Sequence, residues 1–155
     1  MKLPKVFILI ILLFFSLSCA KEEINKSVIK EKSLDLQVME AYNEGMKSLE
    51  TGDVIFAAKK FNEAEVLFPQ SAWAPKSALM AAYSYYSQDY YGDTIAELER
   101  FLKVYPNYKH TDYAYFLLGL SYYEQIIDEK KDLQSIIKAK EYFEIVKKNF
   151  PKTEY

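Results

Sequence analysis

Residues 45–69 read GMKSLETGDVIFAAKKFNEAEVLFP, and residues 82–106 read AYSYYSQDYYGDTIAELERFLKVYP. The stretches have equal length, and each closes on an aromatic residue followed by proline, Phe68-Pro69 and Tyr105-Pro106. A small residue opens each one. Gly45, Ala57, Phe61, Ala64 and Pro69 are separated by 12, 4, 3 and 5 positions, and Ala82, Thr94, Leu98, Phe101 and Pro106 repeat those separations. A third unit runs from Gly119 to Ala139, Phe143, Val146 and Pro151, keeping 4, 3 and 5 but lengthening the first gap to 20. Apolar residues three and four apart mark one face of a helix, and a proline after them ends it. Self-similarity at such a period marks helical hairpins that stack.

The residue types explain the spacing. Gly45, Ala82 and Gly119 let the two helices of a hairpin approach closely, with Ala57 and Ala139 doing the same from the second helix. Phe61, Leu98 and Phe143 fill the space between helices, each burial contributing roughly 1.5–3 kcal/mol. The pattern resembles the tetratricopeptide (TPR) repeat, and the expected fold is all-α, a right-handed solenoid of about three hairpins. Helices are expected at about 35–50, 53–68, 73–88, 91–104, 111–127 and 135–149, giving repeats over 35–69, 72–106 and 111–151. Gly52-Asp53 and Gly92-Asp93 read as turns between first and second helices, with Asp as N-cap, and Ser71 and Thr111 as further N-caps. The third hairpin carries an inserted charged segment, Asp128 to Ser135.

The first residues read as an address. Lys2 and Lys5 precede VFILIILLFFSL, residues 6–17, a run too short to span a bilayer comfortably and suited to a secretory h-region. Ser18-Cys19-Ala20 follows, and a small residue before a lone Cys resembles a bacterial lipobox, with Ser16 standing where Leu, Val or Ile is usual. The resemblance implies a signal peptide over 1–18 and a lipidated Cys19. An ordinary signal peptide cut after Ser18, or an uncleaved anchor, are the alternatives. Acyl chains anchor firmly, at about 0.8 kcal/mol per buried methylene. Ala20 in place of Asp implies sorting to the outer membrane. Residues 19–33 are charged and aperiodic and read as a flexible tether to a repeat domain over 34–155.

Composition removes several functions. The chain has 155 residues, 50% of them hydrophobic, and a net charge of −2 with pI near 5.6, unlike the concentrated positive footprint of a nucleic-acid binder. Losing Lys2 and Lys5 from 20 basic residues leaves 18 against 22 acidic, so attraction to anionic lipid is not the anchor. One Cys and one His, His110, leave no thiolate zinc site, histidine metal cluster or Ser-His-Asp triad. The acidic pairs Glu22-Glu23 and Glu97/Glu99 fall on the tether and on an expected exposed helix face, with no pocket implied. No glycine-rich phosphate loop occurs, and no cofactor or catalytic residue is expected.

The strings Tyr42-Asn43-Glu44-Gly45, Asp112-Tyr113-Ala114-Tyr115, Ser121-Tyr122-Tyr123-Glu124-Gln125-Ile126 and Phe150-Pro151-Lys152-Thr153-Glu154-Tyr155, behind a lipobox-like Cys, resemble the BamD-type outer-membrane assembly lipoproteins. That resemblance implies a non-enzymatic scaffold on the periplasmic face of the outer membrane. Its implied partners are a BamA-type barrel subunit, other assembly lipoproteins and unfolded outer-membrane proteins, with no nucleic acid. The family normally continues for about two more repeats, where most BamA contacts lie, and its early repeats are associated with aromatic-rich substrate segments. First helices of stacked hairpins line a concave side. This places Tyr42, Tyr83, Tyr86, Tyr113, Phe116 and Tyr123 as candidate peptide-binding residues, with Met46, Leu79 and Leu120 nearby. Tyrosine suits that role, joining apolar area to a hydrogen-bonding tip. Inter-repeat packing is the competing reading for each, and Trp73 is expected over a hairpin junction. Another periplasmic TPR lipoprotein adaptor, for envelope integrity or secretion, is the alternative function.

Overall fold

Ser33 accepts a hydrogen bond from the Leu36 amide (3.4 Å) and starts α1, Leu34–Glu50. Asp53 does the same for α2, Val54–Leu67, its Oδ1 accepting from the Phe56 amide at 3.2 Å. The side-chain cap satisfies one of the amides that a helix start leaves open. The computed structural model describes residues 32–127 and 133–155. In it α3 is Trp73–Tyr86, α4 Tyr91–Val104, α5 Thr111–Glu124 and α6 Leu133–Asn149. Consecutive helices pack on one another in chain order, making three hairpins, and no strand occurs among the described residues. Helices α2, α4 and α6 each stop two residues before a proline, because the residue preceding proline is pushed out of the helical region. Among the described residues no helix is long and apolar enough to cross a membrane.

The hairpins close where small residues meet large ones. A Cβ on Gly45 would stand 2.9 Å from the Phe61 ring, and one on Gly119 would stand 2.7 Å from the Phe143 ring. Phe61 is fully buried and cannot step aside. The middle hairpin has alanine, Ala82, in the same place, and there the partner is the slimmer Leu98. Ring with glycine and leucine with alanine are two solutions to one packing constraint. Phe61 centres one core cluster with Val38, Ala41, Ala57, Ala64 and Ala81, and Phe101 centres another with Leu98, Leu117 and Leu118.

Some expectations need correction. The second turn is not Gly92-Asp93, which lies in the first turn of α4. It is built around Asp89, whose φ of 62° matches the left-handed Gly52 (φ 82°) seven residues after each hairpin's small residue. Asp tolerates that region because its short side chain bonds locally, here accepting from the Tyr91 hydroxyl at 2.7 Å. Ser71 and Thr111 are not caps: Ala72 and His110 hold those positions without a side-chain bond, and Thr111 Oγ1 donates to the Tyr108 carbonyl. Helices α3 and α5 end at Tyr86 and Glu124, short of 88 and 127. Of the inserted segment, 133–135 belong to α6. The signal, tether and Cys19 readings over 1–31, and Asp128 to Asp132, lie outside the described residues.

Candidate functional site

Helices α1, α3 and α5 are the first helices of the three hairpins, and they carry the candidate binding residues. Tyr83, from α3, and Tyr113, from α5, converge on a cavity of about 460 Å³ with Leu79, Met80, Tyr108 and His110. Lys76, Lys109 and Tyr155 complete its rim. Tyr83 is 37% exposed, whereas Leu79 forms a buried floor. Burial, and then the neighbouring phenols of Tyr83, Tyr155 and Tyr86, push the Tyr113 hydroxyl up to about 12. Tyr86 is also raised, first by burial and then by the carboxylates of Glu124 and Asp89, and its ring lies 5.8 Å from that of Tyr91. These phenols stay protonated at neutral pH and can both donate and accept.

The remaining candidates divide. Phe116 lies under Tyr155, ring centroids 5.3 Å apart and nearly parallel, and also meets Phe143 at 6.1 Å. Tyr155 touches Tyr113 as well, at 5.1 Å, and Thr153 Oγ1 donates to Asp112 at 2.7 Å, holding that segment against α5. Tyr123 is 57% exposed but lines a different hollow, about 970 Å³ between α5 and α6, with Ile126, Ile136 and Phe143. Tyr42 is a core residue, only 7% exposed, and its ring supports Trp73 at 5.1 Å and Phe61 at 5.2 Å. Trp73 packs over the junction of the first two hairpins, where the Lys76 ammonium lies 4.9 Å from its ring. The sequence reading passed over Met80, Tyr108, Lys76 and Lys109. For Lys76 and Met80 the signal was the phase of α3, one turn of helix from Leu79 and Tyr83; for Tyr108 and Lys109 it was the repeat register, which puts the turn after a hairpin against the first helix of that hairpin.

A polar cluster shares no residue with the cavity beside Tyr83 and lies between the second helices. Arg100 grips Glu65 with both terminal nitrogens, Nη1–Oε1 2.8 Å and Nη2–Oε2 2.7 Å. The Tyr105 hydroxyl donates to the same Oε1 at 2.8 Å, and Arg100 Nε donates to Glu97 at 3.0 Å. Glu97 is therefore half-buried and engaged, where the sequence placed it on an exposed face. Burial and the Glu65 carboxylate push the Tyr105 phenol well up, and the Glu65 hydrogen bonds push Arg100 further up. Both carboxylate oxygens of Glu65 are occupied, which suits a clasp between hairpins rather than proton transfer. No group of three or more potential metal ligands gathers among the described residues.

The family model described as "Outer membrane lipoprotein", YfiO, matches residues 34–155, which is every repeat. Three relatives are each called outer membrane protein assembly factor BamD. The one from Caulobacter vibrioides is 31% identical over 128 residues, 83% of this chain and 41% of the relative. The one from Rickettsia prowazekii is 33% identical over 114 residues, 74% of this chain and 45% of the relative. The one from Neisseria gonorrhoeae is 35% identical over 86 residues, 56% and 32% of the two chains. The chain thus spans less than half the length of these relatives.

Proposed function

The chain belongs to the outer membrane lipoprotein family YfiO, and we propose that it is a non-enzymatic scaffold of outer-membrane protein assembly that binds unfolded barrel-protein segments. The observation that carries this reading is the convergence of Tyr83, Tyr113 and Tyr108 on a cavity whose rim is cationic, within repeats that the family model matches throughout. Extended segments of barrel proteins alternate apolar and polar residues. A groove of phenol rings offers such a segment apolar contact and hydrogen bonds together. The name BamD, borne by the relatives, supports the assembly role. In this reading Cys19 carries the lipid that holds the chain at the periplasmic face of the outer membrane. The partners are then a BamA-type barrel subunit and the other assembly lipoproteins, with substrate recognition the share of these early repeats.

Fluorescence anisotropy with a labelled peptide from a barrel-protein precursor tests the groove. Tyr83→Ala and Tyr113→Ala, which shorten two side chains lining the cavity, are expected to weaken binding while circular dichroism shows unchanged helicity. Unaltered affinity in both variants defeats the groove assignment. Replacing Cys19 with Ser is expected to move the chain from the membrane fraction to the periplasmic one.

A further inference from the structure

Three hairpins meet at two junctions, and the repeat register makes the junctions comparable residue by residue. At the first, Arg100 of α4 holds Glu65 of α2 through two hydrogen bonds, and the Tyr105 hydroxyl adds a third. Beside them Asn62 Nδ2 donates to Glu97 at 3.3 Å. Helix α1 also touches α3 directly, and Trp73 closes on Tyr42. At the second junction these fastenings are missing. The places of Glu65, Arg100 and Tyr105, counted back from the proline, are taken by Leu102, Ile145 and Phe150, which cannot form a clasp. The places of Tyr42 and Trp73 are taken by Leu79 and His110. What joins the second and third hairpins is an apolar cluster of Leu98 and Phe101 from α4 with Ala114, Leu117 and Leu118 from α5. Outside it lie the hydrogen bond from Tyr122 to the exposed Glu99 and the cavity of about 460 Å³ between α3 and α5.

We infer that the second junction is the joint of the solenoid. The Glu65–Arg100 clasp fixes the first two hairpins as one rigid unit, and the third hairpin, without a clasp, swings against them and changes the width between α3 and α5. Three features make a joint. Apolar contact is non-directional, so the cluster around Phe101 and Leu117 stays buried through a small rotation and serves as its pivot. The cavity gives that rotation room, where a close-packed interior would resist it. The Tyr122–Glu99 bond lies at the surface, where water replaces either partner at little cost. The first junction has none of these freedoms. Moving Arg100 away would strand the Glu65 carboxylate, whose side chain is only 8% exposed, and Trp73 already fills the space over Tyr42. Small sliding of packed helices is an ordinary route to such closure. The joint is a property of the unliganded chain and stands apart from the peptide-groove reading.

Pulsed electron–electron resonance on the spin-labelled full chain tests it. Val66, Lys103 and Lys148 are exposed and stand at one register position, three residues before their prolines. In a Cys19→Ser background, where the labels take the only thiols, Val66→Cys with Lys103→Cys spans the first junction. Lys103→Cys with Lys148→Cys spans the second. The distance distribution across the second junction is expected to be about twofold wider than that across the first. Arg100→Ala is expected to widen the first distribution toward the second and to leave the second as it was. Transplanting the clasp, as Leu102→Glu with Ile145→Arg and Phe150→Tyr, is expected to narrow the second toward the first. Equal widths at the two junctions overturn the joint. So does a first distribution that stays narrow in Arg100→Ala. If the transplant loses helicity by circular dichroism, the unaltered pair of junctions and Arg100→Ala decide the question. Peptide affinity enters none of these readings, so failure here and failure of the groove assignment are told apart.

Discussion

The junction between the first and second hairpins is filled on both sides, and the junction between the second and third is not. At the first, Trp73 covers Tyr42 with Lys76 over both rings, and on the opposite side Arg100 and Tyr105 close on Glu65. At the second, His110 looks onto a cavity, and on the opposite side a hydrogen bond of 3.2 Å joins Tyr122 to the exposed Glu99. One repeat register therefore serves two ends. Where the residue three before the small residue and the residue four after the proline are both rings, as Tyr42 and Trp73 are, it makes core; where they are Leu79 and His110 it leaves a cavity.

The sharpest way to break this contrast is to open the clasp. Arg100→Ala leaves the Glu65 carboxylate buried without its cation, its side chain 8% exposed. The expected cost is about 3 kcal/mol by urea denaturation, the lower end for a broken buried pair, since the Arg100 side chain is itself 39% exposed. Trp73→Ala comes next. A half-buried ring with two partners is lost, for about 2 kcal/mol, and the first hairpin gains a hollow like that beside His110. Tyr122→Phe, the matching cut at the second junction, removes one exposed hydrogen bond for about 0.5 kcal/mol. If Tyr122→Phe cost as much as Arg100→Ala, the two junctions would be equally locked and the contrast would be wrong.

Alkaline titration checks the burial of the phenols at the second junction. Tyr113 and Tyr122, both held chiefly by burial, are raised to about 12 from 10.0 in the unfolded chain. The folded state then binds more protons than the unfolded state between those values. Stability is accordingly full below pH 10 and falls as pH rises toward about 12. Urea midpoints taken across that window, with phenolate absorbance followed in parallel, check the sign. Midpoints that rise through it would contradict the burial of these phenols.

The hairpins were legible because their signals are local. Prolines end helices, and small residues recur at the spacing of close approach, as Gly45 with Phe61 shows. The turn at Asp89 was hidden because an aspartate in the left-handed region looks, in sequence, like any polar turn residue, whereas Gly92 advertises a flexibility that the helix does not use. The Glu65–Arg100 clasp joins residues 35 positions apart, and only the offset between stacked hairpins brings them together. Of the residues lining the cavity, Tyr83 and Tyr113 were named in advance from the TPR-like arrangement of first helices. The core position of Tyr42 was not legible, because the Trp73 ring that shields it comes from the first residue of the next hairpin's opening helix, 31 positions away, and no local period links the two.

The Gly45–Phe61, Ala82–Leu98 and Gly119–Phe143 pairs also constrain how such a chain can evolve. Adding a methyl at Gly45 or Gly119 first would drive it into a ring, so the passable route has the ring shrink before the glycine grows. Substitutions at these positions should be historically ordered, and a hairpin exchanged between relatives should travel with both members or fail to close.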